Sequence, residues 1–319
     1  MPMPRLVVAP SLPADVFHSL AQHFDSVGGD RDLSADQALE LADQRQAEAL
    51  LVSHYHKMTP EVIARLPASL KILATVTVGY DHIDVPAAKA RGLVVTNTPD
   101  VLTDCTADMA MLLILAASRR AAEGEQLMRK GWRKSFGMGE FLGRSVSGKR
   151  LGIFGMGRIG QALAQRARGF GMTISYCNRR RLPPEQELGA RYFAELEAML
   201  PACDIVSINA PATPETDKLF NRRALALLPK GAVLVNTARG KLIDEDALIE
   251  ALQSGHLFAA GLDVFRQEPD FDLRFAALPN VFLTPHIGSA TVETRNAMGF
   301  RALDNIAAVC SGGEAIDPL

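Results

Sequence analysis

Short apolar runs alternate with helix-like stretches along the whole chain. Residues 6–9, 49–52, 71–76 and 93–96 read as buried strands, because a strand covered on both faces loses the polar–apolar alternation of a half-exposed one. Strand and helix in alternation predict a parallel α/β sheet. Residues 103–120, rich in Ala, Leu and Met, have the length of a well-buried helix, with Thr103 or Asp104 as its cap and Pro99 breaking the strand before it. A domain boundary is therefore expected near Pro99. A second alternation follows, with strands at 150–154, 173–177, 204–208, 232–236, 259–262 and 281–284. Residues 291–310 form one more helix, ended by Gly312 and Gly313. With the second sheet already complete, that helix is expected to return to the first domain. The expected division is 1–99 completed by 288–319, and 100–287.

Composition adds little to this picture except by exclusion. At 319 residues the chain exceeds the size at which one core usually keeps growing. A hydrophobic fraction of 48%, a charged fraction of 22% and a net charge of -2 lack the basic excess that nucleic-acid binding needs, so the expected partners are small molecules. The longest apolar stretch, 109–117, is too short to span a bilayer. The first ten residues read as a strand rather than a signal peptide, and a cytoplasmic location is expected. The four cysteines, Cys105, Cys177, Cys203 and Cys310, show no CxxC spacing and read as buried thiols rather than as disulfides or zinc ligands.

Gly155-Met156-Gly157-Arg158-Ile159-Gly160 directly follows an apolar run and precedes a helical pattern. Glycines there let the backbone approach a pyrophosphate, and the helix N-terminus offers open N–H groups. Six parallel strands around such a loop fit a dinucleotide-binding Rossmann sheet. The next strand would end in an acid if the adenosine ribose carried free hydroxyls. Asn178 stands there instead, followed by Arg179, Arg180 and Arg181. Three guanidinium groups suit a 2′-phosphate, so NADPH is the preferred cofactor and NADH a weaker one.

Further chemistry gathers after the later strands: Thr237-Ala238-Arg239, then Asp263 with Glu268 in the next loop, then His286-Ile287-Gly288-Ser289. Side chains beyond the carboxyl ends of parallel strands line the crevice where ligands bind. A 2-keto acid presents a carboxylate that a guanidinium can grip, and its carbonyl oxygen needs a proton as hydride reaches the carbon. Arg239 is the expected grip and His286 the proton donor. An unperturbed histidine is mostly neutral near pH 7, and Glu268 beside it would favour the imidazolium and orient the ring. Thr237 and Asp263 are assigned to the cofactor, with Thr106, Ala210, Pro211, Thr216, Ala238 and Gly288 as further contacts and Ser289 beside the substrate.

Six stretches carry a resemblance that covers nearly the whole chain: VGYD at 78–81, NTPDVLTDCTA at 97–107, GKRLGIFGMGRIGQ at 148–161, NTARGKLID at 236–244, GLDVFRQEP at 261–269 and TPHIGSAT at 284–291. The sequence resembles the D-isomer-specific 2-hydroxyacid dehydrogenases, and within them the glyoxylate/hydroxypyruvate reductases. The resemblance implies two doubly wound parallel-sheet domains flanking a cleft, a Rossmann cofactor domain and a flavodoxin-like substrate domain. It implies an Arg/Glu/His triad at Arg239, Glu268 and His286, and substrate-holding backbone N–H groups at Val78 and Gly79. It also implies a homodimer built on the cofactor domain, including an arm at 131–146 that carries Trp132. Asn178-Arg179-Arg180 departs from the acidic pattern of NAD-preferring members and fits the NADPH-using ones.

Two other readings compete. A reductase for a longer acid such as 2-ketogluconate would share the triad, with the polar loop Ser53-His54-Tyr55-His56-Lys57-Met58 facing the far end of the substrate. A dinucleotide-sensing corepressor would keep fold and triad without rapid turnover. A metal centre at the H-x-H of that loop is not expected, for want of a nearby acidic or cysteine partner.

Overall fold

In the computed structural model, which describes residues 3–319, the first parallel sheet has five strands. They are β1 (Arg5–Val8), β2 (Asp25–Gly28), β3 (Ala49–Val52), β4 (Ile72–Thr75) and β5 (Val94–Thr96), in the order β2-β1-β3-β4-β5. That is the flavodoxin-like doubly wound order. Four of the five lie on the expected apolar runs. β2, with sequence DSVG, has no such run because it is an edge strand with its side chains half-buried or exposed. Helices cover both faces, producing one core around Leu50, Leu73 and Val95 and another around Leu51, Ile72 and Ala74.

The second sheet holds β6 (Arg150–Phe154), β7 (Thr173–Cys177), β8 (Arg191–Phe193), β9 (Ile205–Ile208), β10 (Ala232–Asn236), β11 (Leu257–Leu262) and β12 (Val281–Leu283). Their order is β12-β11-β10-β9-β6-β7-β8, all parallel. This corrects the expected count of six. β8, with sequence RYF, is another short edge strand whose side chains are only partly buried, so no apolar run announces it. The order reverses at β6 and β9, the switch point beside which a Rossmann sheet binds its nucleotide.

The chain divides into two units, Met1–Leu102 with Ala290–Leu319, and Thr103–Ser289. The two breaks fall slightly later than the sequence pattern places them, the first of them at Thr103, where a long helix begins. That helix, Thr103–Ser118, ends two residues short of the expected Arg120, which takes a left-handed φ of 55°. It lies flat on the second sheet because Gly261 of β11 has no side chain; a Cβ there would stand 2.8 Å from Leu113 Cβ. Leu113 and Ile114 are fully buried, each contributing roughly 1.5–3 kcal/mol of hydrophobic stabilisation. In the first unit the helix Val292–Cys310, capped by the Thr291 side chain, buries Ala302, Leu303 and Ile306. Gly299 lets it approach the helix Ala14–His23, since a Cβ there would meet Val16 at 2.7 Å.

All four cysteines are free thiols, and Cys177 and Cys203 are buried. Burial pushes these two up to about 11 and about 12, which leaves them protonated and unreactive at neutral pH. Among the described residues no helix is long and apolar enough to cross a membrane.

Candidate active site

β6 ends at Phe154, and Gly155 turns the chain with a φ of 92°. A Cβ on Gly155 would lie 2.5 Å from the Ala210 nitrogen. Only glycine therefore lets the end of β6 lie against the loop that follows β9. Gly160 makes the complementary fit, since its Cβ would lie 2.5 Å from the Gly155 carbonyl oxygen. Between them Gly157 is the N-cap of the helix Arg158–Gly169; no side chain caps it, and nothing lies within 4 Å of the position its Cβ would take. Arg158 and Ile159 form the first turn. Open space against uncapped helix amides is the arrangement that accepts a phosphate. Met156 sends its side chain into the core and its N–H to Asn178 Oδ1, at 2.7 Å. Asn178, directly after β7, thus clamps the glycine loop.

The arginines after Asn178 do not act alike. All three are exposed, but only Arg181 forms a two-point ion pair with Glu187, at 2.8 and 3.0 Å. The Arg181 guanidinium supplies the counter-charge that the buried Glu187 carboxylate needs. After β9, Ala210 is buried. Thr216, in the turn Pro214–Thr216, donates to the Pro211 carbonyl at 3.0 Å and accepts from the Thr213 N–H at 2.8 Å.

Three neighbouring strands, β10, β11 and β12, deliver the remaining residues from their carboxyl ends. Asn236, fully buried at the end of β10, accepts from the Ala238 N–H and donates to the Arg239 carbonyl, both at 2.9 Å, which folds residues 237–239 into a tight turn. Arg239 Nη1 donates to the Ala238 carbonyl at 2.8 Å. Thr237 is buried, and its hydroxyl has no hydrogen-bond partner among the described residues. A Cβ on Gly240 would overlap the Phe265 carbonyl, so this glycine brings the turn that carries Arg239 against the loop that carries Glu268.

Glu268 is held at both oxygens. Phe265 N–H donates to Oε1 at 2.8 Å, and His286 Nδ1 lies 2.6 Å from Oε2, the two side chains being 20% and 24% exposed. His286 itself has a φ of 54°, a left-handed conformation that is uncommon for a residue with a side chain. The loop wraps around Asp263, which is 1% exposed. Its carboxylate accepts from Thr284 Oγ1 at 2.6 Å and from the Ile287 and Gly288 N–H groups at 2.8 Å, while its carbonyl accepts from the His286 N–H at 2.8 Å. Burial pushes the Asp263 carboxyl up, against the pull of these donors and of the His286 charge. Gly288 packs over the same carboxylate and near the buried Thr106 side chain, and Ser289, half-buried, follows it.

In the first unit, Val78 and Gly79 lie beyond β4. Asn97 Nδ2 donates to the Val78 carbonyl at 2.8 Å, and Thr77 Oγ1 to the Gly79 carbonyl at 2.7 Å. A trans peptide turns its N–H opposite its carbonyl, so the Gly79 N–H points away from Asn97. In residues 53–58, His56 is buried, with Nδ1 on Ser53 and Nε2 at 2.9 Å from the Leu33 carbonyl, whereas Tyr55 is exposed. His56 therefore fixes the shape of this loop. Sequence reasoning did not single out Asn97, Asn236 or Glu187 as supports. An asparagine ending a strand before a turn is a usable signal; Glu187, in a polar stretch, offers none.

The open helix start at Gly157 and the unpartnered Thr237 hydroxyl both fit a nicotinamide dinucleotide. A family model, D-isomer specific 2-hydroxyacid dehydrogenase, NAD binding domain, matches residues 111–288. The chain belongs to this family. Among its relatives, a glycerate dehydrogenase from Hyphomicrobium methylovorum is 40% identical over 97% of each chain. A glyoxylate reductase from Thermococcus kodakarensis is 42% identical over 97% of this chain and 94% of its own length. The crystal structure of an NADPH-dependent glyoxylate/hydroxypyruvate reductase from Sinorhizobium meliloti, in complex with NADP and malonate, is 40% identical. It superposes with a TM-score of 0.88 over 100% of this chain and 97% of that one.

Proposed function

We propose that this protein reduces a small 2-keto acid, glyoxylate or hydroxypyruvate, to the 2-hydroxy acid with NADPH. The observation that carries this reading is the 2.6 Å pairing of His286 Nδ1 with Glu268 Oε2 at the ends of strands in a dinucleotide-binding sheet. A nicotinamide dinucleotide held by the glycine loop would supply the hydride. With Nδ1 committed to Glu268, the ring presents Nε2–H as the proton donor to the substrate oxygen, and the neutral Nε2 takes the hydroxyl proton back in the oxidative direction. Arg239 grips the substrate carboxylate. Thr237, on the turn that carries Arg239, has its hydroxyl assigned to the cofactor.

Arg179 and Arg180, exposed beyond a strand that is followed by Asn178 rather than by an acid, support the NADPH preference. So does the name of the Sinorhizobium meliloti relative. The exposed Trp132, Phe136, Met138 and Leu142 support a homodimer in which the 131–146 arm is covered by a second copy. Steady-state rates for glyoxylate, hydroxypyruvate and 2-ketogluconate, each with NADPH and with NADH, test the reading. Turnover of either short acid with a higher kcat/KM for NADPH is expected. Preference for 2-ketogluconate, or no turnover of any of them, would reject it.

A further inference from the structure

The loop after β7 is anchored by a buried acid that the hydride transfer itself does not require. Glu187, in the turn of helix Pro184–Glu187, is 7% exposed, and a carboxylate so far from water needs donors on both oxygens. Tyr176 of β7, fully buried, donates its hydroxyl to Oε1 at 2.6 Å. Arg181 donates Nε–H to Oε1 at 2.8 Å and Nη2–H to Oε2 at 3.0 Å. The Tyr176 oxygen in turn accepts from the Leu182 N–H at 2.9 Å. Strand, loop and helix are therefore joined through one carboxylate, which Arg181 and Tyr176 hold below the usual carboxylate range. Arg168 Nη2 separately donates to the Glu187 and Leu188 carbonyls, at 2.9 and 3.1 Å, so the backbone of the turn has its own anchor.

We propose that Glu187, Tyr176 and Arg181 are positioning residues for nucleotide selection. They hold residues 178–182 so that Arg179 and Arg180 face the 2′-phosphate, while Arg181 makes no contact with it. This inference rests on the NADPH reading above. An alternative role has the opposite sign: if Glu187 merely neutralised one member of a three-arginine phosphate site, removing its charge would release Arg181 and tighten NADPH.

The test is the KM for NADPH and for NADH, with glyoxylate as substrate, together with the Kd of each nucleotide from fluorescence titration without substrate, in the wild type and in Glu187→Gln, Tyr176→Phe and the Arg179→Ala/Arg180→Ala double variant. Thermal melting checks that each is folded. Glu187→Gln is expected to raise the KM for NADPH about three- to tenfold, the effect of loosening one charged hydrogen-bonded anchor, while the KM for NADH changes far less. Tyr176→Phe, which removes a single oxygen, is expected to shift the ratio in the same direction by a smaller factor, and it decides the matter should Glu187→Gln not fold. A lower or unchanged KM for NADPH in Glu187→Gln, or a parallel rise for both cofactors, overturns the positioning role. If the double-arginine variant keeps the wild-type NADPH/NADH ratio, the NADPH reading itself fails. If it loses that ratio while Glu187→Gln and Tyr176→Phe keep it, the positioning proposal alone is rejected.

Discussion

At the scale of the residue, His286 combines a chemical pairing with a strained backbone. A side-chain-bearing residue held at a φ of 54° costs on the order of 1–3 kcal/mol and persists only where its surroundings over-determine it. Here they do: Asp263 receives the Thr284 hydroxyl and the Ile287 and Gly288 N–H groups on its carboxylate, and the His286 N–H on its carbonyl. The buried acid shapes the loop, and the loop aims the imidazole at Glu268. His286→Ala is expected to lower kcat by a factor on the order of 10² to 10⁴, the usual contribution of a general acid, with the KM for the dinucleotide changing much less. Steady-state kinetics with saturating cofactor check this, and an unaltered kcat would remove His286 from proton transfer.

At the scale of the element, the site depends on how closely the loops after adjacent strands can approach. Gly240 is the clearest case, since any Cβ would run into the Phe265 carbonyl. Gly240→Ala is expected to destabilise the fold by about 1–3 kcal/mol through overpacking. The same change should lower kcat/KM for the keto acid, because it forces the Arg239 turn away from the loop that carries Glu268. Denaturant unfolding and kinetics on one preparation check both outcomes; wild-type stability would mean that the loops part without strain. The apolar strands at the centres of the two sheets were legible from sequence, since burial on both faces leaves an unbroken apolar run. β2 and β8 were not. Edge strands of sequence DSVG and RYF are half-exposed, and their pairing is decided by the neighbouring strand rather than by their own composition.

At the scale of the whole molecule, residues 103–289 are a single continuous segment with cores on both faces of its sheet. Expressed alone, this segment is expected to unfold cooperatively and to bind the dinucleotide, because the glycine loop, Asn178 and Thr237 all lie within it. Calorimetric unfolding and nucleotide titration check this, and a fragment without a cooperative transition would contradict it. What the sequence determined by itself was the parallel α/β class, the glycine turn and the residue types at strand ends, since each is written in local spacing and in where an apolar run stops. Tertiary structure alone decided which charged groups meet. Of three consecutive arginines, one is turned back by a buried glutamate whose own neighbourhood in the chain looks like an ordinary polar turn. Asp263 sets the conformation of a histidine more than twenty residues away. Such pairings follow from the desolvation of charged groups once the chain is folded, and no local pattern records them.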